Sequence, residues 1–142
     1  MNSRILRLAL VALSAATLVG CTHEASTRKE QAKAFMDAFG FPLPDEVKEI
    51  SYHSTGAWAL NLGGYLSVMR FTYIPSVVEK IEQKHALALT PTSFASVEKA
   101  PSWWRKPPQG AQIYRNSTNG IVRLMWIQET QGFVFYQEFN VD

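Results

Sequence analysis

The plainest alternation in the chain lies near its C-terminal end. Phe133, Phe135, Gln137, Phe139 and Val141 fall on one side of an extended segment, and Val134, Tyr136, Glu138 and Asn140 on the other. A period of two is that of a strand with one face mostly buried. Segments 111–116 and 121–130 have the same β-prone character, and the three runs are separated by Ser117-Thr118-Asn119-Gly120 and Gln131-Gly132, which are turn formers. A three-stranded antiparallel meander is therefore predicted over 111–141.

Upstream, the period changes. Thr27-Arg28-Lys29-Glu30 has capping-box spacing, Ala32, Phe35, Met36 and Phe39 follow on one stripe, and Gly40 supplies a stop. These predict a helix over 29–39. Phe41-Pro42-Leu43-Pro44 cannot continue it, and a strand is expected at about 47–54. Trp58 to Leu62 and Tyr65 to Ile74 are two more apolar, β-prone runs. The Gly63-Gly64 pair between them is either a tight hairpin or a bulge within one long strand. Pro75-Ser76-Val77-Val78-Glu79 predicts a second helix, capped by Ser76 and Glu79 and running to about Lys84, with Val77, Val78, Ile81 and His85 on one face. From 86 to 110 the pattern is lost among Pro91, Pro101, Pro107 and Pro108, apart from a short helical turn expected at 93–99. Connections this long in a compact domain are often functional. The element order predicts an α+β fold, an antiparallel sheet of about five to six strands with two helices packed on one face.

Ahead of this pattern stands a different kind of segment. Arg4 and Arg7 precede an apolar run over 8–20, as in the basic and apolar regions of a signal peptide. The run is shorter than the ~20 residues a permanent membrane-spanning helix requires. Leu18-Val19-Gly20-Cys21 at its end resembles a bacterial lipobox. That resemblance implies cleavage after Gly20, a diacylglycerol thioether on Cys21 and usually a third acyl chain on the new amino terminus. Residues 1–20 are then the removed signal, 21–26 the lipidated N-terminus and a short linker, and 27–142 a single domain. The bilayer becomes the first partner, since two or three acyl chains give stable attachment where one does not. Thr22, where inner-membrane retention tends to place Asp, implies the periplasmic face of the outer membrane, with the inner membrane as the alternative.

Composition adds two constraints. All 8 Phe, 4 Trp and 5 Tyr lie in 21–142, a length sufficient for a proper core. The sole cysteine, Cys21, precludes a disulfide within the chain. The formal +2 is carried by Arg4 and Arg7, so the remainder is balanced overall, yet Lys99, Arg105, Lys106, Arg115 and Arg123 form a basic block without an acid between 99 and 128.

Candidate chemistry concentrates in that block. Lys99-Ala100-Pro101-Ser102-Trp103-Trp104-Arg105-Lys106-Pro107-Pro108 sets two tryptophans among cations and prolines. Such a segment suits an anionic or ring-bearing ligand through stacking, cation–π contact and charge. Trp103, Trp104, Arg105 and Lys106, extended by Tyr114, Arg115 and Arg123, form the candidate surface for an envelope protein, a glycan or an anionic headgroup. The alternative is that one tryptophan plugs the core. Trp58 and Trp126 are expected in the core, and nucleic acid is not expected in this compartment.

No Gly-x-Ser-x-Gly, phosphate-binding glycine loop or His-Glu-x-x-His occurs. His23, His53 and His85 are far apart, with His53 expected to be structural. Glu82 and His85 share a helix face without further metal ligands, and no cofactor is called for. The chain is expected to be a membrane-anchored, non-enzymatic binding module. The alternative is a hydrolase or transferase acting on cell-wall glycan, using Glu129 or Glu138 near the aromatic loop.

Overall fold

A computed structural model describes residues 22–56, 64–97 and 99–141. Its elements are β1 (Thr22–Glu24), α1 (Arg28–Phe39), β2 (Ile50–Thr55), β3 (Leu66–Thr72), α2 (Pro75–His85), β4 (Ala88–Leu89), β5 (Ile113–Thr118), β6 (Ile121–Gln128) and β7 (Phe133–Asn140). A short 3-10 turn, Glu129–Gln131, joins the last two strands. All neighbours are antiparallel, in the order β1-β2-β3-β7-β6-β5-β4. The α+β class is as the sequence predicts, but the sheet has seven strands instead of five or six. The extra ones are β1, formed from residues expected to be a linker, and the two-residue β4. Both are too short to show a period. The expected Trp58–Leu62 run and the Gly63 half of the glycine pair lie outside the described residues.

α1 begins as its sequence dictates. Thr27 Oγ1 accepts a hydrogen bond from the Glu30 amide at 3.2 Å, and Glu30 Oε2 accepts from the amides of Thr27 and Ser26 at 3.0 and 2.9 Å. These bonds hold the Glu30 carboxyl well below its ordinary value, at about 2. The helix ends where Gly40 turns left-handed, at φ 69°, and the Lys84 ammonium donates to the Gly40 carbonyl at 2.7 Å, tying α1 to α2. Phe35 and Phe39 are buried, but Met36 is 42% exposed, so the apolar stripe is narrower than its spacing suggests. α2 departs from expectation at its start. It begins at Pro75, with Ile74 as its cap and no side-chain bond. Proline's fixed φ and missing donor suit the first helical position, so Ser76 already lies inside the helix.

Both helices cover one face. Phe35, Phe39, Val77, Val78 and Ile81 pack there with Met69, Phe71, Met125, Val134 and Tyr136. The opposite face is covered by the segment between β4 and β5, whose Phe94 and Trp104 pack with Val68, Leu124, Trp126 and Phe135. The central strand β7 is therefore buried on both sides, and Val134, Phe135, Tyr136 and Gln137 are consecutively buried. On the helix face one register row is polar: Ser54 pairs with Ser67, Ser67 with Glu138, Glu138 with Arg123, and Arg123 with Asn116. The preceding row, Tyr52, Met69, Tyr136, Met125 and Tyr114, is aromatic and thioether. The apolar core thus ends at a sharp line across five strands.

One buried amide fixes the cover on the far face. Gln137, fully buried, accepts from the Ala95 amide at 2.8 Å and donates to the Ala95 carbonyl at 3.0 Å. Replacing it by leucine strips both partners from Ala95, and each unsatisfied buried group costs about 1–3 kcal/mol. Gln137→Leu is expected to lower unfolding free energy by that order and to speed amide exchange over 93–97. A chemical-denaturation curve superimposable on wild type would show that the clasp does not hold the segment.

Candidate functional site

The segment after Trp104 turns outward from the second core and lines one side of a groove of about 700 Å³. Arg105, Lys106, Pro108 and Gln112 come from this segment, Tyr114 from the start of β5, Trp126, Ile127 and Gln128 from the end of β6, and Glu129 to Gln131 from the 3-10 turn. The reason for the turn outward is local. Trp104, 6% exposed, is held by Phe94 stacked at 5.6 Å between ring centroids and by Phe135 edge-on at 5.9 Å. With that ring buried, the following exposed cations face solvent.

The candidates separate into three groups. Arg105, Lys106 and Tyr114 share the groove. Trp104 is a core side chain and offers no surface to a ligand; it follows the reading in which one tryptophan plugs the core. Trp103 is half-buried and edge-on to Trp104, with the Arg70 guanidinium 5.9 Å above its ring. It does not line the groove. Arg115 lies on β5 opposite Leu124 and Ala88, away from the lining residues.

Arg105 is partly committed to its own loop, since Nη1 donates to the carbonyls of Ser102 and Trp104 at 2.6 and 2.9 Å. Nε and Nη2 make no hydrogen bond among the described residues. Neither Arg105 nor Lys106 enters an ion pair among those residues. Two cations without an ion pair among the described residues thus share the groove lining with the half-buried Tyr114, while Trp126, 7% exposed and stacked on Phe135 at 5.2 Å, belongs to the core beneath, as the sequence predicts. Glu129 lies at the same groove, making it dipolar rather than uniformly basic. Such a lining can hold a carboxylate, phosphate or sulfate by charge. Sequence spacing pointed to Arg105, Lys106 and Tyr114 but missed Gln128 and Gln112, which have no local signature and arrive through strand register.

Arg123 leaves the basic block altogether. Its Nε donates to Glu138 Oε2 at 2.9 Å, and the same oxygen accepts from the Tyr136 hydroxyl at 3.0 Å. Burial, with Glu138 next, pushes the Tyr136 phenol well above its ordinary value, so it remains a neutral donor. Glu138 therefore lies on the helix-covered face and Glu129 in the groove; the two carboxylates do not share a site, and Glu138 is not beside the aromatic loop. His85 is held below its ordinary value by burial, then by Arg123 and Lys84. His53, 4% exposed, has Nδ1 3.3 Å from Glu24 Oε1, which joins β1 to β2. Among the described residues no three potential metal ligands cluster and no helix is long and apolar enough to cross a membrane. No family model matches the chain, and comparison with curated proteins and with solved structures returns no match.

The division between core and groove is testable by stability. Trp104→Ala is expected to destabilise the fold by about 3–5 kcal/mol, the usual range for a buried tryptophan, whereas Lys106→Ala should leave the melting temperature within error. Equal effects of the two substitutions would contradict this division.

Proposed function

We propose that the protein is a membrane-anchored bacterial envelope lipoprotein that acts as a non-enzymatic binding module through the groove beside β5 and β6. The observation that carries this reading is the pair of exposed cations, Arg105 and Lys106, without an ion pair among the described residues, in a groove that Tyr114 also lines. The partner is an anionic group presented by another envelope protein, a glycan or a lipid headgroup. A protective or assembly role is compatible with this chemistry.

The anchor rests on the lipobox-like Leu18-Val19-Gly20-Cys21, and the structure supports a short distance between anchor and domain. Thr22, the residue after Cys21, already pairs with Thr55 at the edge of the sheet. A lipid on Cys21 holds this edge against the bilayer, facing the periplasm from the outer membrane. Cys21→Ser is expected to shift the protein from the membrane to the soluble fraction or to stall its processing. Unchanged size together with unchanged membrane retention would refute the anchor.

The groove is tested by cross-linked capture from intact cells. An Arg105→Ala, Lys106→Ala variant removes two solvent-exposed side chains and should remain folded, unlike variants of Trp103 or Trp104. The native protein is expected to retain an association that this variant loses. An association kept in full by the folded variant rules out the groove as the contact surface.

A further inference from the structure

A second recess opens on the helix-covered face, where α1 stops and the polar register row begins. It has a volume of about 560 Å³ and lies between Lys33 and Asp37 on α1, Tyr52, Ser54 and Glu138 on the sheet, and Tyr65 just before β3. This volume falls within the range of small-molecule sites, roughly 300–1,000 Å³. The groove discussed above shares none of these residues.

The chemistry of the recess is unusual for the edge of a core. Glu138 is 14% exposed and its charge is met by Arg123, itself 19% exposed. Partly buried ion pairs contribute weakly to stability, and well-packed apolar residues of similar volume often serve as well or better. Packing therefore gives little reason for this pair, whereas a fixed acceptor in a recess has a clear use. The bonds from Arg123 and Tyr136 both fall on Oε2, and Oε1 takes none of the described bonds.

Charge narrows the ligand. Glu138 is neutralised by Arg123, and at the mouth Lys33 and Asp37 neutralise one another at 2.5 Å. A free anion meets the carboxylate of Glu138 without an unpaired cation to receive it, and a free cation finds no unpaired acid. What the recess does offer is hydrogen bonding from the Ser54 hydroxyl and to the fixed carboxylate, beside the rings of Tyr52 and Tyr65, whose phenols bond one another. Burial, followed by the influence of Tyr52, raises the Tyr65 phenol above its ordinary value, so it keeps its proton. The two phenol rings add apolar faces with polar tips. Hydroxyl groups projecting around a ring with apolar C–H faces match this set.

We propose that the recess between α1 and the Ser54–Ser67–Glu138 row binds a neutral saccharide. Tyr52 and Tyr65 present the apolar walls, while Glu138 accepts hydrogen bonds from sugar hydroxyls and Ser54 donates to or accepts from them. Arg123 and Tyr136 are positioning residues that hold Glu138 in place. The site is independent of the proposed groove.

Titration calorimetry of the full chain tests this with cellotriose, maltotriose and tri-N-acetylchitotriose as neutral probes, and glucosamine and a sulfated disaccharide as charged ones. At least one neutral probe is expected to bind saturably. Ser54→Ala and Tyr52→Ala should each weaken that binding by about tenfold, on the scale of losing one central contact. The Arg105→Ala, Lys106→Ala variant should bind it unchanged. If Tyr52→Ala unfolds, Ser54→Ala alone decides, and it should weaken binding. Saturable binding by no neutral probe, a preference for a charged probe, or affinity unaffected by the Ser54 and Tyr52 variants overturns the proposal. Loss of binding in the Arg105, Lys106 variant instead moves the saccharide to the groove and also overturns it.

Discussion

Gln137 grips the backbone of Ala95 with both atoms of its amide, and much of the molecule depends on that grip. The sheet is wide, its central strand β7 is buried on both sides, and only one side is covered by helices. The other cover is an irregular, proline-broken segment with no ladder of its own. A buried amide among Phe94, Trp104 and Phe135 is stable only if its donor and acceptor are met. Among the described residues its amide bonds to Ala95 of that segment alone, so sheet and cover specify one another. With Ala95 fixed, Phe94 and Trp104 are carried into the second core, and Arg105 and Lys106 are left at its rim.

The fold was largely legible because its main periods are strong. The alternation through 133–141 gave the last strand and both of its faces, and Thr27, Glu30 and Gly40 gave the first helix almost to the residue. What periodicity withholds is which faces are covered. The same alternation that suggested one buried face belongs to a strand buried on two, because Val134 and Tyr136 share their side with the polar Glu138 and Asn140 and are buried only once the helices pack there. The 86–110 segment lacks a pattern for the same reason: its order comes from side chains docking on the sheet. β1 and β4 are shorter than a period can register, and the start of α2 was misread because Pro75 needs no hydroxyl cap.

The candidate surface was legible in part. Charge and aromatic content located Arg105, Lys106 and Tyr114 correctly in one groove. Adjacent tryptophans in an irregular segment carry no mark of which one faces inward, and the packing of Trp104 between Phe94 and Phe135 decides it. The basic block also overstated the available charge. Arg123 is spent on Glu138, and half of the Arg105 fork is spent on its own loop. Counting cations along a chain measures supply, while the free field depends on partners assembled from distant strands.

The two outermost strands of the sheet are its shortest, three residues in β1 and two in β4. An open sheet exposes unpaired donors and acceptors at each margin, and long margins invite strand addition by other chains. Here β1 shields Thr55 to His53, while Thr90 and the Asn116 side chain, bonding to Ile113 and Ala86, extend the cover around β4. The truncation of both margins therefore acts against aggregation. Copies of the domain that meet edge to edge find blunt margins instead of templates.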